Sequence, residues 1–297
     1  MVDINRGTSG VNLPPAVASE IWGGIVEQSA VMQAARQVAL PGAGISIPMV
    51  TGEPTAAWVD ETDEKPVSRH TLSNKTMTPY TLAVIEPFSN QFRRDLSGLY
   101  GELVRRLPFA LAKTFDSTVY GVTAAPGSNF DQLDSAPTLT VDGTDTFADL
   151  AAVLNAVAAQ GVELSHWLAS PALHGLMLTA TDSLGRQFFV NDPAGSSRVG
   201  SVFGAPVLRT RGTMPTGAGA TDDVLGFAGD FAGSAVYGTV EGIQISISDQ
   251  ATLTDGAATI NLWQRNMFAV RAEIEVGFRV RDVNHFVAIN DGTADGT

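Results

Sequence analysis

The sequence predicts a mixed α+β protein in which a long helix packs on antiparallel strands. The first observation is an apolar residue at every third or fourth position from Leu96 to Phe115, which forms one stripe on a helix. The second is a strict alternation of apolar and other residues from Val270 to Val280, which predicts a long strand with one apolar face. The third is a shift to Ala, Gly, Thr and Asp after Gly121, which predicts a separate α/β domain.

The composition excludes several classes of protein. The chain has 297 residues and no cysteine, so disulfides and thiolate chemistry are excluded. Its net charge of -13 argues against a surface that grips nucleic acid. The N-terminus has no basic segment followed by an apolar run, and the most apolar stretch, residues 164–181, is interrupted by two His and a Pro. We therefore expect a soluble cytoplasmic product with no membrane contact.

The first 78 residues predict an arm, a helix and a long hairpin. Residues 1–13 are small and polar without a period, and the prolines that follow introduce a helix ending near Ser29. Short strands are expected at 36–40 and 45–50. Residues 51–78 are polar apart from a few positions such as Trp58, and predict a hairpin that stands away from the core.

The long helix follows a strand from Thr78 to Glu86 and is expected to end at Gly121 with a left-handed cap. At ~1.5 Å per residue it is roughly 37 Å long. Pro108 lies in its middle and predicts a bend, because proline removes a hydrogen bond and crowds the preceding turn. The face opposite the apolar stripe is either solvated or a contact with a neighbouring subunit, and it contains Glu102, Arg105, Arg106, Phe109, Lys113 and Asp116.

Caps and apolar patterns predict alternating helices and strands after Gly121. Thr146, with Asp149 three residues later, is expected to cap a helix that Gly161 ends. Ser170 and Pro171 begin another helix. Strands are expected at residues 166–169, 204–208, 224–227 and 242–248.

The strand from Val270 to Val280 has one apolar face about 40 Å long at ~3.3 Å per residue. This length matches the long helix, so we expect the two to pack together. A turn at residues 282–284 is expected to lead into a strand that pairs with it, residues 285–289.

The sequence contains no pattern of an active site. It has no G-x-S-x-G, no glycine-rich phosphate loop, no H-E-x-x-H and no G-x-G-x-x-G. Its four His lack metal-ligand spacing, and the acidic cluster at residues 60–64 lacks the glycine turn of a calcium loop. Asp230 follows a predicted strand, where a structural turn is favoured over a catalytic carboxylate. We therefore expect a protein without enzymatic activity, cofactor or metal.

Charge is distributed unevenly along the chain. No Lys or Arg occurs between Lys113 and Arg186, an interval that contains many acidic residues. Such segregation favours complementary contact between copies of the chain, with ordinary surface variation as the alternative. The arginines lie elsewhere in three groups, Arg93, Arg94, Arg105 and Arg106, then Arg186, Arg198, Arg209 and Arg211, then Arg265, Arg271, Arg279 and Arg281.

The order of short motifs along the chain resembles the major capsid proteins of tailed bacteriophages, the family with the Hong Kong 97 phage fold. The resemblance covers about Pro14 to Asn290. It is carried by Trp58-Val59-Asp60-Glu61, Ser89, Arg93-Arg94-Asp95, Tyr120-Gly121, Phe203-Gly204-Ala205-Pro206-Val207, Gly229-Asp230-Phe231 and Asn284-His285-Phe286-Val287.

The resemblance implies a Hong Kong 97-type capsid fold and a domain organisation. A long spine helix on antiparallel strands would form a peripheral domain, beside an axial α/β domain. The implied segments are an N-terminal arm at 1–13, a helix and peripheral strands at 14–50, an extended loop at 51–78, the peripheral domain with the spine helix at 79–122, the axial domain at 123–260, the closing peripheral strands at 261–290 and a tail at 291–297.

The resemblance also implies a function. It implies a structural protein whose hexamers and pentamers form the icosahedral head of a tailed phage around double-stranded DNA. The protein would reside in the virion, and in the host cytoplasm during assembly. A compartment shell protein of the encapsulin type is the first alternative, and a hydrolase or carbohydrate-binding module is the second.

The implied partners are further copies of the chain, together with scaffolding, portal and decoration proteins. Some family members join a loop lysine to an Asn of a neighbour, but no such Asn or Glu can be matched here, so no crosslink is expected. The candidates for contact between subunits lie in the extended loop, before the spine helix and on its polar face, and are Trp58, Asp60, Glu61, Asp63, Glu64, Lys65, Arg69, Lys75, Arg93, Arg94, Arg105, Arg106 and Phe109.

Overall fold

The structure is a computed structural model of the chain. It describes residues 23–26, 28–52, 55–60, 64–65, 67–69, 71–90, 96–181, 200–210, 212–216, 222–255 and 258–294. The predicted arm and the predicted start of the first helix lie outside these residues. Glu61, Asp63, Arg93 and Arg94 also lie outside them, and of Arg105 only the backbone is described.

The described residues form the predicted helices and strands in the predicted order, together with further elements that were not predicted, such as the strands at 138–140 and 235–239. The helices are α1 Ala30–Ala34, α2 Leu96–Val119, α3 Thr146–Ala159, α4 Pro171–Thr179 and α5 Phe231–Ser234. The strands are β1 Arg36–Ala39, β2 Ile45–Gly52, β3 Thr71–Met77, β4 Tyr80–Ser89, β5 Thr138–Thr140, β6 His166–Ala169, β7 Ser201–Val202, β8 Ala205–Arg209, β9 Asp222–Gly229, β10 Ala235–Thr239, β11 Gln244–Ser248, β12 Thr252–Asp255, β13 Ala258–Asn261, β14 Met267–Val280 and β15 Phe286–Ala294.

Strand β14 is the centre of a five-stranded sheet. Its length lets it pair with β4 over ten register positions on one side, and with β10 and then β11 on the other. Strand β1 completes the sheet by pairing in parallel with β10. The alternating apolar residues of β14 are buried, from Phe268 to Val280.

Helix α2 packs on this sheet, as predicted. The stripe residues Leu107, Leu111 and Phe115 are buried in one hydrophobic cluster with the apolar face of β14. The rings of Phe115 and Phe278 meet edge to face with centroids 6.3 Å apart. The helix runs through Pro108 without a break, and Gly121 follows it with a φ of 90°, which confirms the predicted left-handed cap.

A six-stranded sheet has the order β5-β15-β9-β6-β8-β7 and carries helices α3 and α4. Ser170 caps α4 as predicted, since its Oγ accepts from the Leu173 amide at 3.3 Å. The cap predicted for α3 is wrong by one residue. Asp145, rather than Thr146, precedes the helix, and its carboxylate accepts from the Ala148 amide at 3.2 Å.

The predicted pairing of β15 with β14 is wrong. Strand β15 instead pairs antiparallel with β9 and parallel with β5, so consecutive strands of the chain enter different sheets. The turn between them is a single 3-10 turn, Val283–His285, which Asp282 caps by accepting from the Asn284 amide. At this turn the chain therefore leaves the five-stranded sheet and enters the other sheet.

A long hairpin forms, but it begins earlier than the predicted residues 51–78, because the strand predicted separately at 45–50 is part of β2 and pairs with β3. These two strands pair antiparallel from Ile45 opposite Met77 to Gly52 opposite Thr71. Beyond the paired strands, the Thr55 amide donates to Ser68 Oγ at 2.9 Å, which holds the two arms of the loop together. In the part of the chain that the structure describes, no helix is long and apolar enough to span a membrane.

Candidate subunit-contact surfaces

The outer part of the hairpin presents an apolar side chain to solvent. Trp58 has a relative exposure of 104%, and Val67 on the returning arm has 85%. A tryptophan side chain that is fully exposed leaves a large apolar area in water, which is typical of an interaction surface. The other candidates described in this loop are also exposed, namely Asp60, Glu64, Lys65 and Arg69.

A second apolar surface lies where helix α2 crosses strand β4. Phe109 is 40% exposed and Ile85 is 48% exposed, and both line an open groove of about 590 Å³. The groove also contains Val84, Leu107 and the charged residues Glu86 and Arg106. Phe109 therefore lies in an apolar groove with a polar border, which favours the contact interpretation of this helix face over simple solvation.

Lys75 lies at the base of the hairpin, away from the exposed loop. Its ammonium donates to Asp131 Oδ2 at 3.2 Å and to the Val280 carbonyl at 2.8 Å. The charge of Lys75 is therefore bound within its own chain.

Arg279 and Asp131 are also bound within one chain, although they belong to an arginine group and to an acidic interval that are separate in the sequence. The Arg279 guanidinium donates to Asp131 Oδ1 at 2.6 Å, and its side chain is only 8% exposed. This pair therefore joins β14 to the loop after α2 within one chain.

Asp116 is a buried polar site that sequence analysis missed. It was expected on the charged face of the spine helix, but it is fully buried. Its carboxyl group accepts from Ser29 Oγ at 2.5 Å and from the Ala30 amide at 3.0 Å. The hydroxyl of Thr210, at the end of β8, lies 3.4 Å away. These partners come from segments remote in sequence, so no local pattern could have predicted the burial.

Burial dominates the ionisation of this site. Loss of hydration raises the pKa of Asp116 to about 7, against the opposing effect of its hydrogen bonds. The Tyr120 hydroxyl donates to Thr210 Oγ1 at 2.9 Å. Burial and the nearby Asp116 raise the pKa of Tyr120 well above its ordinary value. The cluster joins α1, α2 and the six-stranded sheet, and it has a structural role.

Asp230 also has a structural role, as predicted. Its carboxylate accepts from the Gly233 amide at 2.8 Å and caps α5. Ser234 Oγ donates to Asp230 at 2.9 Å and lies 2.7 Å from His285 Nδ1. The serine lies between the acid and the histidine, whereas a catalytic triad needs the histidine in the middle. Within the described ranges, no cluster of three His, Asp or Glu could hold a metal ion.

Comparison with known proteins identifies a family. The model of the phage capsid family matches residues 9–291 of the chain. The probable major capsid protein gp17 of Mycobacterium phage L5 is 28% identical over 294 residues, which cover 94% of this chain and 89% of that protein.

Solved structures share the fold. A chain from Mycobacterium phage Bobi has a TM-score of 0.68 at 24% identity, with 91% of each chain covered. The capsid of an empty GTA particle has a TM-score of 0.63 at 16% identity, and the match covers 98% of this chain and 96% of that one. The predicted capsid fold is thereby confirmed.

Proposed function

The chain belongs to the phage capsid family and is a major capsid protein, and we propose that its copies associate as hexamers and pentamers in the icosahedral head of a tailed phage. The head encloses double-stranded DNA. The protein resides in the virion and, during assembly, in the host cytoplasm. Scaffolding, portal and decoration proteins are its further partners.

The observation that carries this proposal is the hairpin β2–β3 with Trp58 exposed beyond its paired strands. A fully exposed tryptophan side chain gains no free energy from burial within its own subunit. Contact with a neighbouring subunit would bury it. The groove beside Phe109 offers a second apolar surface on the same subunit, so each copy can both present and receive contacts.

The two sheets support a division into domains. We assign the peripheral domain to the five-stranded sheet with helix α2, and the axial domain to the six-stranded sheet with α3 and α4. In this assignment β10 and β11 belong to the peripheral sheet and β15 to the axial sheet. The net charge of -13 fits a shell that surrounds DNA without binding its phosphates tightly.

Substitution of Trp58 tests the proposal. We expect Trp58→Ser to lower the yield of shells at least about tenfold, since a buried aromatic anchor contributes about 2 kcal/mol or more to an interface. The midpoint of thermal unfolding of the subunit should not change. Shells are counted by electron microscopy and by light scattering after size-exclusion chromatography.

Trp263→Ser is the matched control. Trp263 is 73% exposed in the turn before β14, outside the candidate contacts, so its loss should leave the shell yield unchanged. Equal yields from Trp58→Ser and the wild-type chain would refute the role of the loop. A wild-type chain that stays monomeric at high concentration, with and without a scaffolding protein, would refute shell formation itself.

A further inference from the structure

The hairpin β2–β3 is attached to the five-stranded sheet through three consecutive residues of β3. Lys75, Thr76 and Met77 each make a separate contact with strands β10 and β14 or with the loop after α2. Because the contacts differ in chemistry and direction, they restrain the hairpin against bending and against rotation about its own axis.

The first contact is a socket for Met77. Gly238 of β10 and Gly277 of β14 lie directly opposite each other, and the fully buried Met77 side chain lies over both. A Cβ atom at Gly238 would lie 2.6 Å from Met77 Sδ, and one at Gly277 would lie 2.8 Å from Met77 Cγ. Glycine is therefore required on both strands to seat the methionine.

The second contact is a polar clamp around Arg279, whose guanidinium makes three hydrogen bonds. Nε donates to the Thr76 carbonyl at 2.8 Å, Nη1 to Asp131 Oδ1 at 2.6 Å and Nη2 to Asn129 Oδ1 at 2.8 Å. One arginine thus joins the hairpin to the loop after α2. The planar guanidinium fixes the relative positions of these groups, which a single point charge could not do.

Asp131 closes the clamp from the other side. Its second oxygen, Oδ2, accepts from the Val280 amide at 3.1 Å and from Lys75 Nζ at 3.2 Å. Lys75 Nζ also donates to the Val280 carbonyl. The carboxylate therefore contacts β3 through Lys75 and β14 through both Arg279 and the backbone.

We propose that Arg279, Asp131 and Lys75 are positioning residues that hold the extended hairpin in one orientation in the free subunit, before it meets a neighbour. The benefit of this arrangement depends on the proposed shell function, whereas the measurement of the hairpin orientation is made on the free subunit and does not depend on it. A preset hairpin loses less conformational freedom on docking, so assembly proceeds from a subunit already in the competent shape.

The absence of cysteine allows a direct measurement on the free subunit. Val67→Cys in the loop and Thr138→Cys in β5 place two spin labels at exposed positions of the folded chain. The distance distribution between the labels should be narrow. Arg279→Gln should broaden it about twofold or more. Lys75→Met removes a partly exposed ammonium group, so it should broaden the distance distribution less than Arg279→Gln does. If Arg279→Gln does not fold, the distribution of Lys75→Met still tests the proposal.

Arg271→Gln is the matched control. Arg271 lies on the same strand with its side chain 50% exposed, and it pairs with Glu273 and Ser246 instead of the hairpin. Its loss should leave both the distance distribution and the shell yield unchanged. If Arg279→Gln lowers the population of the wild-type hairpin orientation to about one-tenth, the association of subunits should weaken about tenfold.

The two readouts separate the possible failures. An unchanged distribution in both Arg279→Gln and Lys75→Met would overturn the proposal, whatever happens to assembly. A broadened distribution with wild-type shell yield would show that these residues hold the hairpin in the free subunit, and it would overturn the claim that this orientation assists assembly. If the wild-type chain forms no shells, the proposed function fails, and the distance distribution still decides whether the clamp holds the hairpin.

Discussion

Replacing Asp116 by asparagine should raise the free energy of unfolding relative to that of the wild-type chain progressively as the pH rises. Asparagine has nearly the same shape but no charge. In the folded chain the pKa of Asp116 is raised to about 7 from an ordinary value of 3.8. Between these two values the folded state holds a proton that the unfolded state has released. Raising the pH in this window therefore favours unfolding of the wild-type chain.

The magnitude follows from the pKa difference. Each pH unit in the window lowers the free energy of unfolding by about 1.4 kcal/mol. From about pH 4 to about pH 7 the wild-type chain therefore loses on the order of 4 kcal/mol through this carboxyl group, and the loss is complete above pH 7. Asp116→Asn has no proton to release here, so its advantage over the wild-type chain should grow by that amount across the same range.

Urea unfolding monitored by tryptophan fluorescence, at several pH values from 4 to 8, measures this difference. Other ionisable groups contribute almost equally to both chains and cancel in the comparison. Asp134→Asn, which makes the same substitution at an exposed position close to the end of α2, is the control for the loss of one carboxyl group.

Two results would refute the reasoning. A difference between Asp116→Asn and wild type that stays constant with pH would mean that the carboxyl group has the same pKa in both states. An advantage that shrinks as the pH rises would mean that the bonds from Ser29, Ala30 and Thr210 stabilise the ionised form more than burial opposes it.

Two further predictions concern helix α2. Phe115→Ala removes the ring that packs against Phe278 and Phe130 in the core, and it should lower the free energy of unfolding by about 3–5 kcal/mol in urea titrations; a loss below about 1 kcal/mol would contradict the helix–sheet packing. Arg106→Glu reverses an exposed charge beside the groove, and it should reduce shell yield in low salt while changing subunit stability by no more than about 0.5 kcal/mol. The difference in yield should shrink in high salt, where exposed charges are screened beyond about 3 Å, and a salt-independent defect would exclude an electrostatic role.

The packing of the long helix on the long strand was predictable because each carries its own periodic signal. The stripe ending at Phe115 and the alternation from Val270 to Val280 both follow from burial of one face, and their matched lengths paired them correctly. The cap at Gly121, after α2, and the cap at Ser170, before α4, were predictable from the residues next to them, and the structure confirms both.

The partners of distant strands were not predictable from such signals. Strand β15 begins with a continuous apolar run from Phe286 to Ile289, and nothing in these residues indicates which sheet the strand enters. The buried charges were missed for a related reason. Asp116 and Arg279 are polar residues in exposed-looking positions of a periodic pattern, and only remote partners such as Ser29 and Asp131 make their burial favourable.

The long-range strand pairing constrains how the chain folds during synthesis. Strand β1 pairs with β10, which is synthesised about two hundred residues later. Strand β4 pairs with β14, which is also synthesised much later. The six-stranded sheet likewise needs β15 to pair with β5 and β9. Neither sheet is complete until strands β14 and β15 have been synthesised, so both depend on contacts between residues far apart in the sequence. A chain truncated before β14 would lack the strand that pairs with β4 and carries Arg279, and so would lack the surface to which the hairpin is attached.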